Sequence, residues 1–134
     1  KNKGGKMRKF LLLLLLFASF SLLSFSVSKE FQQGMTYLGN GDSKNAEKSF
    51  KIAANKGDVI AYQALGLIYY DQGKIDLAKK YLQMGIDKGE PIAMYGLGII
   101  YENDGNIDMA RKYYQMAVDN GLEDANAGLE RIEN

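Results

Sequence analysis

The chain contains no cysteine, no histidine and no tryptophan, and only one proline. Without histidine, the side chain that most often serves as general acid or base is missing. Without cysteine, thiolate nucleophiles are missing as well. A zinc centre would need a shell of carboxylates alone, outside the usual ligand sets. These absences point to a protein that is not an enzyme and holds no metal or cofactor. Acidic residues are also absent from the start of the chain: the first is Glu30, whereas Lys1, Lys3, Lys6, Arg8 and Lys9 are all basic. From Lys29 onward there are 12 basic against 16 acidic side chains, a net charge of −4. That acidic body argues against a nucleic-acid partner, which requires a basic patch to neutralise phosphate.

The basic head opens a recognisable segment. Arg8 and Lys9 precede "FLLLLLLFASFSLLSFSVS", a leucine-rich run that becomes rich in serine and ends at Ser28. A basic region, a short apolar core and small residues before a polar chain are the three parts of a secretory signal peptide. Residues 1–28 therefore read as leader and signal, with the native start at Met7. Cleavage is expected after Ser28, with Ser26 at −3, or after Ser26, with Ser24 at −3. Export to the periplasm or exterior of a bacterium follows, and the lack of cysteine suits an oxidising compartment. The runner-up is an uncleaved membrane anchor, since Phe10 to Val27 spans 18 residues, the lower limit for a crossing helix.

The rest of the chain repeats itself. "LGLIYYDQGKIDLAKKYLQMGIDKG" from Leu65 returns as "LGIIYENDGNIDMARKYYQMAVDNG" from Leu97, an offset of 32 residues. Laying 61–92 on 93–124 gives 15 identities without a gap. The register extends backward through Gly34, Tyr37, Gly41, Ala46 and Gly57, and forward through Ala125, Gly128 and Leu129. Residues 29–134 thus form one domain with units of about 29–60, 61–92 and 93–124 and a capping helix over 125–134.

Each unit reads as helix–turn–helix. Ala61, Leu65, Ile68 and Tyr69 form an apolar stripe at helical spacing. Gly73 and Gly105 suit left-handed C-caps, and Asp76 and Asp108 fall where a helix N-terminus favours a carboxylate. Asp58 reads as the cap of the following helix, and Pro91 as a first-turn proline. The small residues Gly66, Ala78 and Gly85 mark close helix crossings. Seven helices are expected, near 30–39, 43–56, 59–71, 75–88, 91–103, 107–120 and 122–132. A unit of this kind buries its face only against its neighbours, so the fold class is an all-α solenoid of about three and a third units.

The pattern of Ala61, Leu65, Gly66, Tyr69, Gly73, Asp76, Ala78, Tyr81, Gly85 and Gly89, repeated one unit later, resembles the Sel-one-like repeat, a relative of the tetratricopeptide repeat. The 32-residue period is shorter than either family usually uses. The resemblance implies a right-handed superhelix and a protein-interaction scaffold whose first helices line a concave groove.

Recurrence separates packing from binding. Positions identical in every copy, such as the Tyr69 and Ala78 classes, serve the contact every copy makes. Positions that keep register but change residue are binding candidates: Phe31/Gln63/Tyr95, Met35/Leu67/Ile99 and Leu38/Tyr70/Glu102. From these, Gln63, Tyr70, Tyr95 and Glu102, with Phe31, Met35 and Leu38 at the N-terminal end, are expected to meet a protein or peptide. Leu67 and Ile99 read as packing. Glu102 with Asp104 would favour a basic ligand segment. "ENDGNID" at 102–108 fails as a calcium loop, because EF-hand register puts Ile100 and Arg111 at its first and last ligand positions. Glu130 and Arg131 give the last helix a polar outer face, suited to closing the array. Phe31, Met35 and Leu38 have no preceding repeat to cover them, which leaves a homodimer through that end as the alternative. The membrane enters only through the signal segment, if it is uncleaved.

Overall fold

A computed structural model describes residues 27–134. The leader through Ser26, including the expected start at Met7, lies outside the described residues. The described chain forms α1 (Lys29–Gly39), α2 (Ser43–Asn55), α3 (Ile60–Asp71), α4 (Ile75–Asp87), α5 (Pro91–Asn103), α6 (Ile107–Asp119), a 3-10 turn (Glu123–Ala125) and α7 (Asn126–Glu133). There is no strand among the described residues. All seven helices fall within a few residues of their expected places. The helices pair as α1/α2, α3/α4 and α5/α6; each packs on the next, and α3 also touches α5. This is an all-α solenoid. None of the described helices is long and apolar enough to cross a membrane.

One turn geometry builds every connection. Gly41, Gly57, Gly73, Gly89, Gly105 and Gly121 recur every 16 residues, each with φ between 71° and 96°. At the α3–α4 turn the Gly73 N–H donates to the Tyr70 carbonyl at 2.9 Å and the Lys74 N–H to the Tyr69 carbonyl at 2.8 Å. That pair of bonds is the Schellman motif, which satisfies carbonyls the helix end would otherwise leave bare. The same two bonds recur at the other five turns. Turns within and between repeats are therefore alike.

Capping differs from expectation at one point. Asp42 accepts from the Asn45 N–H and Asn106 from the Met109 N–H, as N-caps do. Asp58 does not cap α3, whose N-cap is Val59 with no side-chain bond. The Asp58 carboxylate turns back and accepts from the Ser28 N–H at 2.8 Å. Ser28, placed by the sequence at the end of the signal segment, is the N-cap of α1: its hydroxyl accepts from the Phe31 N–H at 3.1 Å.

The core is a repeated key and slot. The second helix of each unit offers one large side chain (Phe50, Leu82 or Tyr114) to a glycine of the first helix (Gly34, Gly66 or Gly98). A Cβ on any of these glycines would stand within 2.7 Å of its partner's side chain, so only glycine fits. Gly85 plays the same part between α4 and α5, where a Cβ would lie 2.9 Å from that of Ala93. The recurring tyrosines pack as expected. Tyr69 is 4% exposed and stacks on Tyr81 with centroids 5.3 Å apart, and Tyr101 stacks on Tyr113 at 5.6 Å.

Candidate ligand-binding groove

The first helix of each unit contributes to a single groove. Phe31 comes from α1; Ile60, Gln63, Leu67 and Tyr70 from α3; Ile92, Tyr95 and Ile99 from α5. Ala64, Gly66, Leu82, Gly96 and Ile100 complete its lining, and its volume is about 400 Å³. The depth has a specific origin. The middle unit carries Leu82 where the outer units carry the rings of Phe50 and Tyr114. The smaller side chain, beside Gly66 and Gly96, leaves unfilled the space that an aromatic ring takes up in the other two units.

No lining side chain is charged. Leu67 is 61% exposed and Ile92 53% exposed, far more than a packed core position shows. Tyr70 is oriented by Asn103, whose side-chain amide donates to the Tyr70 hydroxyl. Accepting that bond leaves the Tyr70 O–H free to donate elsewhere. Tyr95 lies against Tyr114 with ring centroids 5.4 Å apart and planes tilted by 40°, which fixes the ring at the groove wall. Gln63 is half-buried, and one end of its amide, assigned as the oxygen, is shielded from solvent without a hydrogen-bond partner. A buried acceptor without a donor is a cost to the folded chain.

The expected site residues divide accordingly. Phe31, Gln63, Tyr70 and Tyr95 meet in the groove. Leu67 and Ile99, read from sequence as packing, also line it; Leu67 in particular stands in solvent. Leu38 lies half-buried against the core and lines a separate recess with Ser43 and Asp71. Of the three N-terminal apolar residues only Met35 is largely exposed, at 50%, because Phe31 packs on Phe50 with centroids 5.2 Å apart.

Glu102 is not part of the groove surface. Its carboxylate takes a bidentate pair from the Arg131 guanidinium at 2.6 and 2.7 Å and a further bond from the Tyr114 hydroxyl. Arg131, followed by the Tyr114 hydroxyl, pulls the Glu102 pKa down to about 2, while burial pushes Tyr114 up. Asp104 pairs with Lys79 at 3.4 Å. The acidic end expected for a basic ligand is thus neutralised within the chain. The reason lies in register: Arg131 occupies the position of Met35, Leu67 and Ile99 in the terminal helix, and from there it reaches back to Glu102. Comparison among copies could not show this, because the three earlier units carry uncharged Met35, Leu67 and Ile99 at that position. Ile60, Ile92 and the Leu82 floor were also missed, although the Phe50/Leu82/Tyr114 variation was visible in the aligned repeats.

The tetratricopeptide repeat pattern matches residues 31–88 and again 64–125. The chain belongs to the tetratricopeptide repeat family. Among solved structures, the N-terminal domain of stress-induced protein-1 (STI-1) from C. elegans superposes with a TM-score of 0.66 at 12% identity, covering 78% of this chain and 92% of that one. At that identity the likeness shows the tetratricopeptide fold alone. No curated protein matches the chain. Tetratricopeptide-type repeats mediate protein–protein interaction, so the class of partner is a protein or peptide.

Proposed function

We propose that the chain is an exported, non-enzymatic scaffold of the Sel-one-like kind that holds an uncharged, apolar segment of a protein partner in its groove. The observation that carries this reading is the chemistry of the lining: aromatic and aliphatic side chains, no charge, and the single amide of Gln63. Tyrosine and large aliphatic side chains give wide contact at modest entropic cost, and binding energy concentrates in a few of them. An extended peptide would lay apolar side chains over Leu82 and Gly66 and offer a backbone carbonyl to the outer, donating end of the Gln63 amide. The Sel-one-like assignment draws on glycine rather than proline at the turns between units, Gly57, Gly89 and Gly121. Export draws on the sequence pattern of residues 7–28.

The test is a fluorescently labelled panel of short peptides titrated with residues 27–134. An uncharged apolar peptide should bind, with affinity little changed by salt, because the contact involves no screened charges. The folded Tyr70→Ala/Tyr95→Ala variant should lose that binding. Preference for a lysine-rich peptide, or full binding by the double variant, sinks the reading. A concentration-dependent dimer that the double variant also forms would favour self-association, with Met35 as the contact to examine.

A further inference from the structure

Ser28 is where the signal-like segment and the folded domain overlap. The two candidate cuts satisfy the demand for small residues equally, with Ser26 and Ser24 or with Ser28 and Ser26 at −1 and −3. The fold does not treat them equally. Ser28 makes three bonds that tie the start of α1 to the domain. Its hydroxyl accepts from the Phe31 N–H at 3.1 Å, its carbonyl accepts from the Gln32 N–H at 3.1 Å, and its N–H donates to Asp58 at 2.8 Å. Asp58 is only 9% exposed and sits in the turn between α2 and α3. A cut after Ser28 would remove the N-cap and strip this carboxylate of its Ser28 donor. It would also place the new ammonium on Lys29 itself, at the positive end of the α1 dipole, where charge of that sign is unfavourable.

Building on the export reading above, we infer that the processing site is the Ser26–Val27 bond. A peptidase and one water hydrolyse that bond, leaving a carboxylate on Ser26 and an α-ammonium on Val27. The mature chain keeps Ser28 as its cap. The new ammonium stands one residue ahead of the N–H that already reaches Asp58. The anchor matters to the groove because α1 carries Phe31, its N-terminal wall. Processing at this bond therefore completes the fastening of one side of the groove.

The direct test expresses the full chain in a bacterial host and takes the intact mass of the exported product. A mass corresponding to residues 27–134 is expected. An exported product of residues 29–134 overturns the inference and leaves export standing, whereas a full-length chain found only inside the cell overturns both. A second measurement is independent of export. Purified chains beginning at Val27 and at Lys29 are melted side by side, each with and without Asp58→Asn. The Val27 chain should melt higher by about 4–8 °C, the shift that one ordinary cap supplies in a domain of this size. Asp58→Asn should lower the melt of the Val27 chain only. Equal melting of the two chains overturns the inference even if both are exported.

Discussion

Gly98 on α5 and Tyr114 on α6 are so close that a Cβ built on Gly98 would stand 2.5 Å from Tyr114 Cδ1. Gly128 on α7 closes on the other side of the same ring, where a Cβ would lie 2.8 Å from Tyr114 Cε2. Tyr114 is fully buried between them. Gly98→Leu should therefore destabilise the domain by about 1–3 kcal/mol, the usual effect of overpacking a filled core. Gly39→Ala is the control, since nothing lies within 4 Å of its Cβ position and its φ is not positive. Urea denaturation of the two variants checks this, with a lowered midpoint expected only for Gly98→Leu.

Gln63 makes an opposite prediction. Its buried amide oxygen has no partner, so an apolar residue of similar shape removes a desolvation penalty without losing a bond. Gln63→Met should leave the domain as stable as before or raise it by about 1 kcal/mol. The same change should weaken apolar-peptide binding, because the outer amide N–H that would position a backbone carbonyl is gone. Denaturation and peptide titration on one sample separate the two effects. A large drop in stability would mean that Gln63 is structural.

The terminal cap has a pH signature. Arg131 holds the Glu102 carboxyl at about 2, below its value in the unfolded chain. The unfolded state thus takes up a proton first as pH falls, and the stability Glu102 contributes is present above about pH 4.5 and lost as pH drops toward 2. Arg131→Gln should flatten the fall in melting temperature across that window. Because the guanidinium is exposed, added salt should also weaken the contribution in the native chain. Parallel slopes for the two proteins between pH 4.5 and 2 would show that the pair contributes nothing.

Much of this was legible in the sequence because the repeat is local. Helix ends follow from glycines at fixed spacing, and Gly66 and Gly85 announce close crossings without naming their partners. What stayed hidden depends on contacts between distant parts of the chain. Asp58 looks like a cap for the helix beside it, yet its partner Ser28 is 30 residues away. Glu102 looks free in the repeat alignment because its partner Arg131 is 29 residues away, at a position that is uncharged in the earlier units. The groove's depth is hidden for another reason: it comes from a second-helix position, Leu82, whereas the positions that face a concave groove lie on first helices.

The groove opened by Leu82 is proposed to take an apolar ligand. Leu82→Phe tests it most directly, since Phe50 already fills the equivalent slot against Gly34 in the first unit. The measurement is the affinity of the labelled apolar peptide for Leu82→Phe, with circular dichroism and the melting temperature recorded on the same protein. A folded domain whose peptide affinity falls by at least about tenfold, or about 1.4 kcal/mol, is expected. A folded Leu82→Phe variant that binds the peptide as tightly as the native chain would contradict it.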